Sequence, residues 1–387
     1  MPQTLNWNRA ATCASPAPGV AEALLDGLNA TDSSRGNLIE SAQERRQQIR
    51  RMAAKAFRFP WPDRVIFTSG ATFGLNQAVQ GIPNDARVLV SALEHNSLLR
   101  PLHSASIKRN VNLDFIPFND RAVIELTELE SLFLNREPDW LAIGACSNVF
   151  GTLQPLDQIC ALAREHNVKV LLDLSQGAGQ IPINLGSLKP SYAAMPAHKG
   201  LHGPQGIGLL FVDKNEIPKP LLVGGTGTQG ESLSMPEDFP TCLEAGTPNL
   251  PGIFALGAAL EWLQKNPCQL TPVRQGLADL ETSLRQRDDV EVFPRNPPPW
   301  SERLGILSFQ PLQVSGAVLA AYLAQTGMQV RSGLLCAALA STTVGAKEGV
   351  VRLSPPPSSS EDDFRIGHAL LHNALDIFNP QRASSKS

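Results

Sequence analysis

The feature that most constrains the fold is a series of short apolar runs set between helix-like segments. Arg64-Val-Ile-Phe-Thr68, Arg87-Val-Leu-Val90, Trp140-Leu-Ala-Ile-Gly-Ala145 and Lys169-Val-Leu-Leu-Asp173 have the near-continuous apolar character of strands buried on both faces. The segments between them carry apolar residues at helical spacing. This alternation predicts an α/β chain built on a mostly parallel, doubly covered sheet.

Each run ends in polar residues. Ser69-Gly-Ala-Thr72 opens a helix after the first, Glu94-His95-Asn96 follows the second, Ser147-Asn148 the third, and Asp173 with Ser175-Gln176 closes the fourth. Ligands of open α/β sheets bind outside the carboxyl ends of the strands. Turns alone do not require His95, Asn148, Asp173 and Gln176 together, so these ends describe one site. Ser69-Gly-Ala-Thr72 offers helix N-terminal N–H groups and a hydroxyl to an anion, although a capped strand-to-helix turn has the same sequence. Asp173 at the end of a buried strand needs a cationic or donor partner or serves as the cap of the next turn.

One lysine stands apart. Lys199 lies in Ala193-Ala-Met-Pro-Ala-His-Lys-Gly-Leu-His-Gly-Pro-Gln-Gly-Ile-Gly208, where Gly and Pro predict a sharp turn and residues 207–212 predict a buried strand. An amine held in a dry cleft loses its charged form, and a neutral amine is what condenses with an aldehyde. The plainer alternative is a surface lysine on a Gly-rich loop. His198 and His202, four apart, are kept off a helix by Gly200 and lack a glutamate base, so no metal is expected. His368 and His372 are predicted on the solvated face of the last amphipathic helix. Cys336, in Arg331-Ser-Gly-Leu-Leu-Cys336, follows a Gly-containing turn close to an arginine, whose charge favours thiolate; packing is the plainer reading for any one of the six cysteines.

Composition excludes several functions. No run approaches the ~18 apolar residues of a membrane span, and the first 14 residues lack a secretory signature, so a cytoplasmic protein with no membrane partner is expected. A formal charge of -3 is too small for a nucleic-acid field, and Arg45-Arg-Gln-Gln-Ile-Arg-Arg51 reads as a solvated helix face. The cysteines at 13, 146, 160, 242, 268 and 336 show no C-x-x-C pair, which fits a reducing compartment. Neither a P-loop nor a dinucleotide fingerprint is present. Residues 5–18 are predicted to lie across another domain, residues 30–36 to form a loop, residues 223–230 to form a mobile loop, residues 253–264 to form a helix, and residues 380–387 to be a disordered tail.

Lys199 with Asp173, His95, Gln176 and Cys336, in this chain order, resembles the class V aminotransferase group of pyridoxal-phosphate enzymes, and within it the cysteine desulfurases. The resemblance is carried by Phe67-Thr-Ser-Gly-Ala-Thr72, Glu94-His-Asn-Ser97, Ser147-Asn-Val-Phe-Gly151, Asp173-Leu-Ser-Gln-Gly177, His198-Lys199 with Gly203-Pro-Gln-Gly206, Glu244-Ala-Gly-Thr-Pro-Asn249, Arg331-Ser-Gly-Leu-Leu-Cys336 and Val351-Arg-Leu353. It implies fold type I. Residues 14–258 would form a large cofactor domain around a mostly parallel seven-stranded sheet. Residues 1–13 and 259–387 would form a smaller α/β domain carrying the cysteine loop and the substrate arginine, and two copies would pair as a homodimer with active sites at the interface.

The resemblance also implies pyridoxal 5'-phosphate as cofactor, with Lys199 as its Schiff-base lysine, His95 stacked on the ring and Asp173 paired with the ring nitrogen. Asn148 and Gln176 would lie near the ring hydroxyl or substrate, Ala71, Thr72 and His198 at the phosphate, and Thr247 at the neighbouring subunit's phosphate. Arg352 would clamp the substrate carboxylate through its planar fork, within a substrate-binding set of Asn148, Arg331 and Arg352. The substrate would be L-cysteine or a related sulfur amino acid. Cys336 would take its sulfur as a persulfide, release alanine, and pass the sulfur to an acceptor protein or a small thiol.

Three departures from the family pattern involve four positions. Leu334 and Leu335 stand where many relatives have histidine, Ala197 stands where relatives often supply a hydroxyl to the phosphate, and Arg9 replaces a small polar residue ahead of Ala10-Ala-Thr12. The two leucines motivate a second reading, a cyst(e)ine C–S lyase that forms pyruvate and ammonia by β-elimination. The departures together motivate a third, a non-catalytic phosphate-binding or scaffold protein that keeps the fold.

Overall fold

The computed structural model describes residues 4–30 and 38–379; residues 31–36 of the predicted loop and the predicted tail at 380–387 lie outside them. Seven strands form the central sheet in the spatial order Val65–Thr68, Gly208–Val212, Tyr192–Pro196, Lys169–Asp173, Trp140–Gly144, Arg87–Ser91 and Asn112–Ile116. Neighbours run parallel except Gly208–Val212, which is antiparallel to both of its partners. The sheet is thus mostly parallel, as expected, with one strand reversed.

The apolar runs are continuous because each strand serves two cores. Alternate side chains point to opposite faces, so Leu141, Leu172, Leu209 and Phe211 pack on one side. Trp140, Ala142, Leu171, Leu210 and Val212 pack on the other. Tyr192–Pro196 is itself a fully buried strand, although its sequence reads as the approach to a turn. Residues 197–207 are therefore a connection between two adjacent antiparallel strands, Pro196 facing Gly208 in register. This connection carries Lys199.

A second, antiparallel sheet has the order Arg331–Gly333, Val350–Leu353, Leu307–Pro311 and Val290–Phe293. The N-terminal strand Leu5–Asn6 joins this part of the molecule by pairing with Met328–Gln329, and Trp7 is buried beside Leu277, Leu353 and Leu371. The chain then crosses to the central sheet, where the Cys13 and Ala17 amides donate to the His198 and His202 carbonyls at 2.8 Å each. Residues 5–18 do lie across another part of the fold.

Two local expectations need correction. The helix predicted from residue 253 is Leu250–Lys265, starting earlier because the Asn249 side chain caps it from the Gly252 amide at 3.0 Å and Pro251 suits its first turn. His368 and His372 are not on a solvated face. They are half-buried against the helix Thr271–Arg285, stack with ring centroids 4.3 Å apart, and both reach Ser283 Oγ at 3.0 Å. Residues 223–230 form an exposed loop without regular structure. Among the described residues, no helix is long and apolar enough to cross a membrane.

Candidate active site

The carboxyl ends of the parallel strands open on a cavity of about 390 Å³. At its edge Gly70 precedes the helix Ala71–Gln80 with φ of 145°, a left-handed value that a side chain would strain. Ala71 and Thr72 therefore present the first turn of that helix to the cavity. His95 caps the helix Asn96–Arg109. Its Nδ1 accepts from the Ser97 amide at 3.0 Å and pairs with Ser97 Oγ at 2.8 Å, which puts the proton of the neutral ring on Nε2. Burial, then the nearby Lys199 charge, lowers its pKa and keeps the ring neutral.

Asp173 ends its strand nearly buried, and Oδ1 accepts from the Ser175 amide at 2.8 Å. Asp173 thus caps the following turn with one oxygen and lines the cavity. Lys199 is half-buried as a residue and faces the cavity. Burial of its amine lowers its pKa to about 8, opposed by Asp173 and assisted by Arg352. The main chain beside it is pressed flat. A Cβ on Gly200 would lie 2.2 Å from the Ala178 carbonyl oxygen, so only glycine fits there. His198 also lines the cavity, its Nδ1 3.2 Å from Thr12 Oγ1, and burial lowers its pKa. Gln176 donates from Nε2 to the Ala10 carbonyl at 3.0 Å, while its Oε1 is buried with no hydrogen-bond partner.

The structure thus brings Ala71, Thr72, His95, Asn148, Asp173, Gln176, His198 and Lys199 to one cavity. Arg352, Arg331, Cys336 and Thr247 do not line it. Arg352 is buried just beyond, its Nη1 donating to the Asn148 carbonyl at 2.9 Å and its Nη2 to Asn8 Oδ1 at 3.3 Å, with Nε left unpaired. Burial, then Arg331 and Arg9, lowers its pKa. Among the described residues it has no carboxylate partner. Arg331 faces it in register across the neighbouring strand.

Cys336 is exposed. It and Leu335 both adopt left-handed backbone, φ 55° and 51°, a strained choice for side chains other than glycine. The Cys336 carbonyl accepts from the Asn96 amide at 2.7 Å, which sets the loop beside His95. Thr247 is exposed on the segment ahead of Leu250–Lys265. Its segment is anchored by Glu244, which pairs with buried Arg50 at 2.8 and 2.9 Å and accepts from the Phe67 amide at 2.7 Å.

Two departures look different in three dimensions. Ala197 points into the apolar core beside Leu201 and Ile207, while Pro196 lines the cavity in its place, so a hydroxyl at 197 would not reach the site. Arg9 is buried outside the cavity lining, hydrogen-bonded to the Gln180 side chain and to the Pro355 carbonyl at 3.3 Å. The residue that sequence reasoning passed over is Glu94. It is quoted within a motif without a role, yet its carboxyl is buried, lines the cavity, and accepts from the Gly144 amide at 2.8 Å. The available signal was an acidic residue between a buried strand and His95.

The family model for class-V aminotransferases matches residues 9–364. The chain is 30% identical over 331 residues to a cysteine desulfurase of Escherichia coli O8 (strain IAI1), covering 82% of this chain and 79% of that protein. It is 29% identical over 331 residues to a probable cysteine desulfurase of Pasteurella multocida, covering 82% and 76%. Among solved structures, the apo cysteine desulfurase from Thermococcus onnurineus NA1 superposes with a TM-score of 0.87 at 22% identity, over 96% of this chain and 95% of that one. The Escherichia coli cysteine desulfurase CsdA superposes with 0.86 at 24% identity, over 97% and 95%. These two share the fold.

Proposed function

The chain belongs to the class-V aminotransferase family, and from that premise we propose that it is a pyridoxal-phosphate-dependent cysteine desulfurase, converting L-cysteine to L-alanine with the sulfur taken up on Cys336. The observation that carries the reading is Asn148. It lines the cavity, its carbonyl holds buried Arg352, and its side chain holds the loop that ends in Cys336. Asn148 thus joins the cavity lined by the Lys199 amine and the Asp173 carboxylate to a guanidinium and a thiol-bearing loop outside its lining.

The cavity fits the cofactor on observations of its own. Gln176 Oε1 is a buried acceptor without a donor, Asp173 is a nearly buried carboxylate, and the first turn of Ala71–Gln80 opens on the same space with the N–H groups an anion needs. In the proposed assignment Lys199 would hold the cofactor's aldehyde, Asp173 its ring nitrogen, His95 its ring face and Gln176 its ring hydroxyl. Ala71, Thr72 and His198 would hold the phosphate, and Thr247 would serve that of a second copy. What pyridoxal phosphate supplies when bound is an electron sink for a carbanion at the substrate Cα.

The chain supplies the rest. Arg352, buried and without a carboxylate, binds the substrate carboxylate, with Arg331 beside it. Lys199, when not bonded to the cofactor, is neutral in a large fraction at pH 8 and would take the Cα proton. Cys336 attacks the substrate sulfur as thiolate: its Sγ–S bond forms, the Cβ–S bond breaks, and the electron pair left on the substrate is protonated to give alanine. An acceptor protein or small thiol then takes the sulfur from the exposed Cys336. The same proposal includes a homodimer, supported by exposed Thr247 and by exposed Ile217, Val223 and Leu233, and a cytoplasmic location, where a thiol nucleophile stays reduced. It divides the chain into 14–258 and 1–13 with 259–387, supported by the pairing of Leu5–Asn6 with Met328–Gln329.

Product analysis tests it. L-cysteine should give alanine and a persulfide located on Cys336 by mass spectrometry; pyruvate and ammonia with Cys336→Ala still active would replace it with the β-eliminating lyase. A protein that binds the cofactor and turns over no amino acid would be the scaffold.

A further inference from the structure

Among the described residues, no cation pairs with the buried acid Glu94. Its carboxyl lies on the end of the strand Trp140–Gly144, with Oε1 accepting from the Gly144 amide at 2.8 Å and Oε2 2.9 Å from where a Cβ on Gly144 would stand. Gly144 is in register with Asp173 on the adjacent strand, so two carboxyl groups share one end of the sheet and one cavity. The groups facing Glu94 are the Ser91 side chain, the Gly144 amide, Asp173 and the thiol of Cys146, and none of them is cationic. Lys199 and His95 line the same cavity, but neither pairs with it. A buried carboxylate with an amide and a serine hydroxyl as donors, no cation and a second carboxyl nearby is still costly to ionise, because burial outweighs the two donors.

We propose that Glu94 stands in the cavity as a neutral carboxylic acid at physiological pH, a positioning residue that receives the Gly144 amide without placing an anion beside Asp173. Burial foremost, with Asp173 adding to it, raises the Glu94 pKa to about 8. An ionised Glu94 would stand beside the Asp173 carboxyl with no cation paired to it. A protonated Glu94 avoids that repulsion while its carbonyl oxygen still receives the Gly144 amide. This takes from the proposed function only the role of Asp173.

The test uses the full chain without cofactor, so that it stands or falls apart from the reaction. Carbon-13-labelled glutamate carboxyls are titrated by NMR, and Glu94 is assigned by the signal lost in Glu94→Gln. The expected midpoint lies near 8, and Asp173→Asn moves it toward lower pH because the facing anion is gone. A Glu94 signal that titrates in the ordinary carboxylate range, about 4.3, overturns the proposal, as does a midpoint unmoved by Asp173→Asn. If Glu94→Gln does not fold, the Asp173→Asn shift of one high-midpoint glutamate signal gives the same decision. In the cofactor-loaded protein, wild type should show an absorbance step near pH 8 that Glu94→Gln lacks; the same step in both proteins also counts against it.

Discussion

The side-chain amide of Asn148 donates to the Leu335 carbonyl at 2.8 Å, tying the residue that lines the cavity to the residue before Cys336. Asn148→Ala leaves that carbonyl without its donor, a loss of about 1–3 kcal/mol if it stays dry. The Cys336 loop should then sample other positions. Persulfide formed per turnover is expected to fall by roughly tenfold, while the cofactor absorbance band persists. A variant that loses the band and the persulfide together would show that Asn148 acts on the cofactor alone.

Lys199 gives a pH-dependent stability prediction. Its folded pKa, about 8, lies below the unfolded value of about 10.4, so the unfolded chain binds more protons between these two values. Stability contributed at this site therefore rises with pH through that window, and below it the buried amine is a constant cost. Allowing for the residual hydration of a half-buried chain, the cost is on the order of 2 kcal/mol. Cofactor-free Lys199→Met should melt higher than wild type at pH 7, with the gap narrowing by pH 10. The same variant should lack the visible cofactor band.

Arg352→Lys keeps the charge and loses the fork. The guanidinium uses Nη1 for the Asn148 carbonyl and Nη2 for Asn8, and a lysine ammonium cannot hold both while facing a carboxylate. KM for L-cysteine should rise by about 10- to 100-fold, with a smaller change in kcat. Steady-state kinetics decide it, and an unchanged KM removes Arg352 from the substrate.

Gly200→Ala places a Cβ 2.2 Å from the Ala178 carbonyl oxygen. Backbone must shift, at a cost of about 1–3 kcal/mol, and the shift falls on the residue after Lys199. Cofactor affinity, read by absorbance titration, should drop at least tenfold. Wild-type affinity would mean that the connection carrying Lys199 tolerates movement.

Much of the site was legible because it follows a local rule. Buried strands must be apolar and their ends must turn, so a His, an Asn, an Asp and a Gln at strand ends stand out from the chain. Lys199 is marked by the glycines and prolines that its tight connection requires. Glu94 carries no mark of its own in the sequence, because nothing local separates a solvated acid from a buried one. Helical spacing puts His368 and His372 on one face without revealing what packs on it.

The alternation of elements, the sheet class and the residues at its open edge can be read along the chain, since period and polarity are properties of neighbours. Three relationships exist only in the folded molecule: Ala197 turns inward, Asn148 joins Arg352 to the Cys336 loop, and Glu94 and Asp173 share one end of the sheet. These depend on burial and on contacts between residues far apart in sequence: 204 positions separate Arg352 from the Asn148 carbonyl it holds, and no local pattern encodes such a distance.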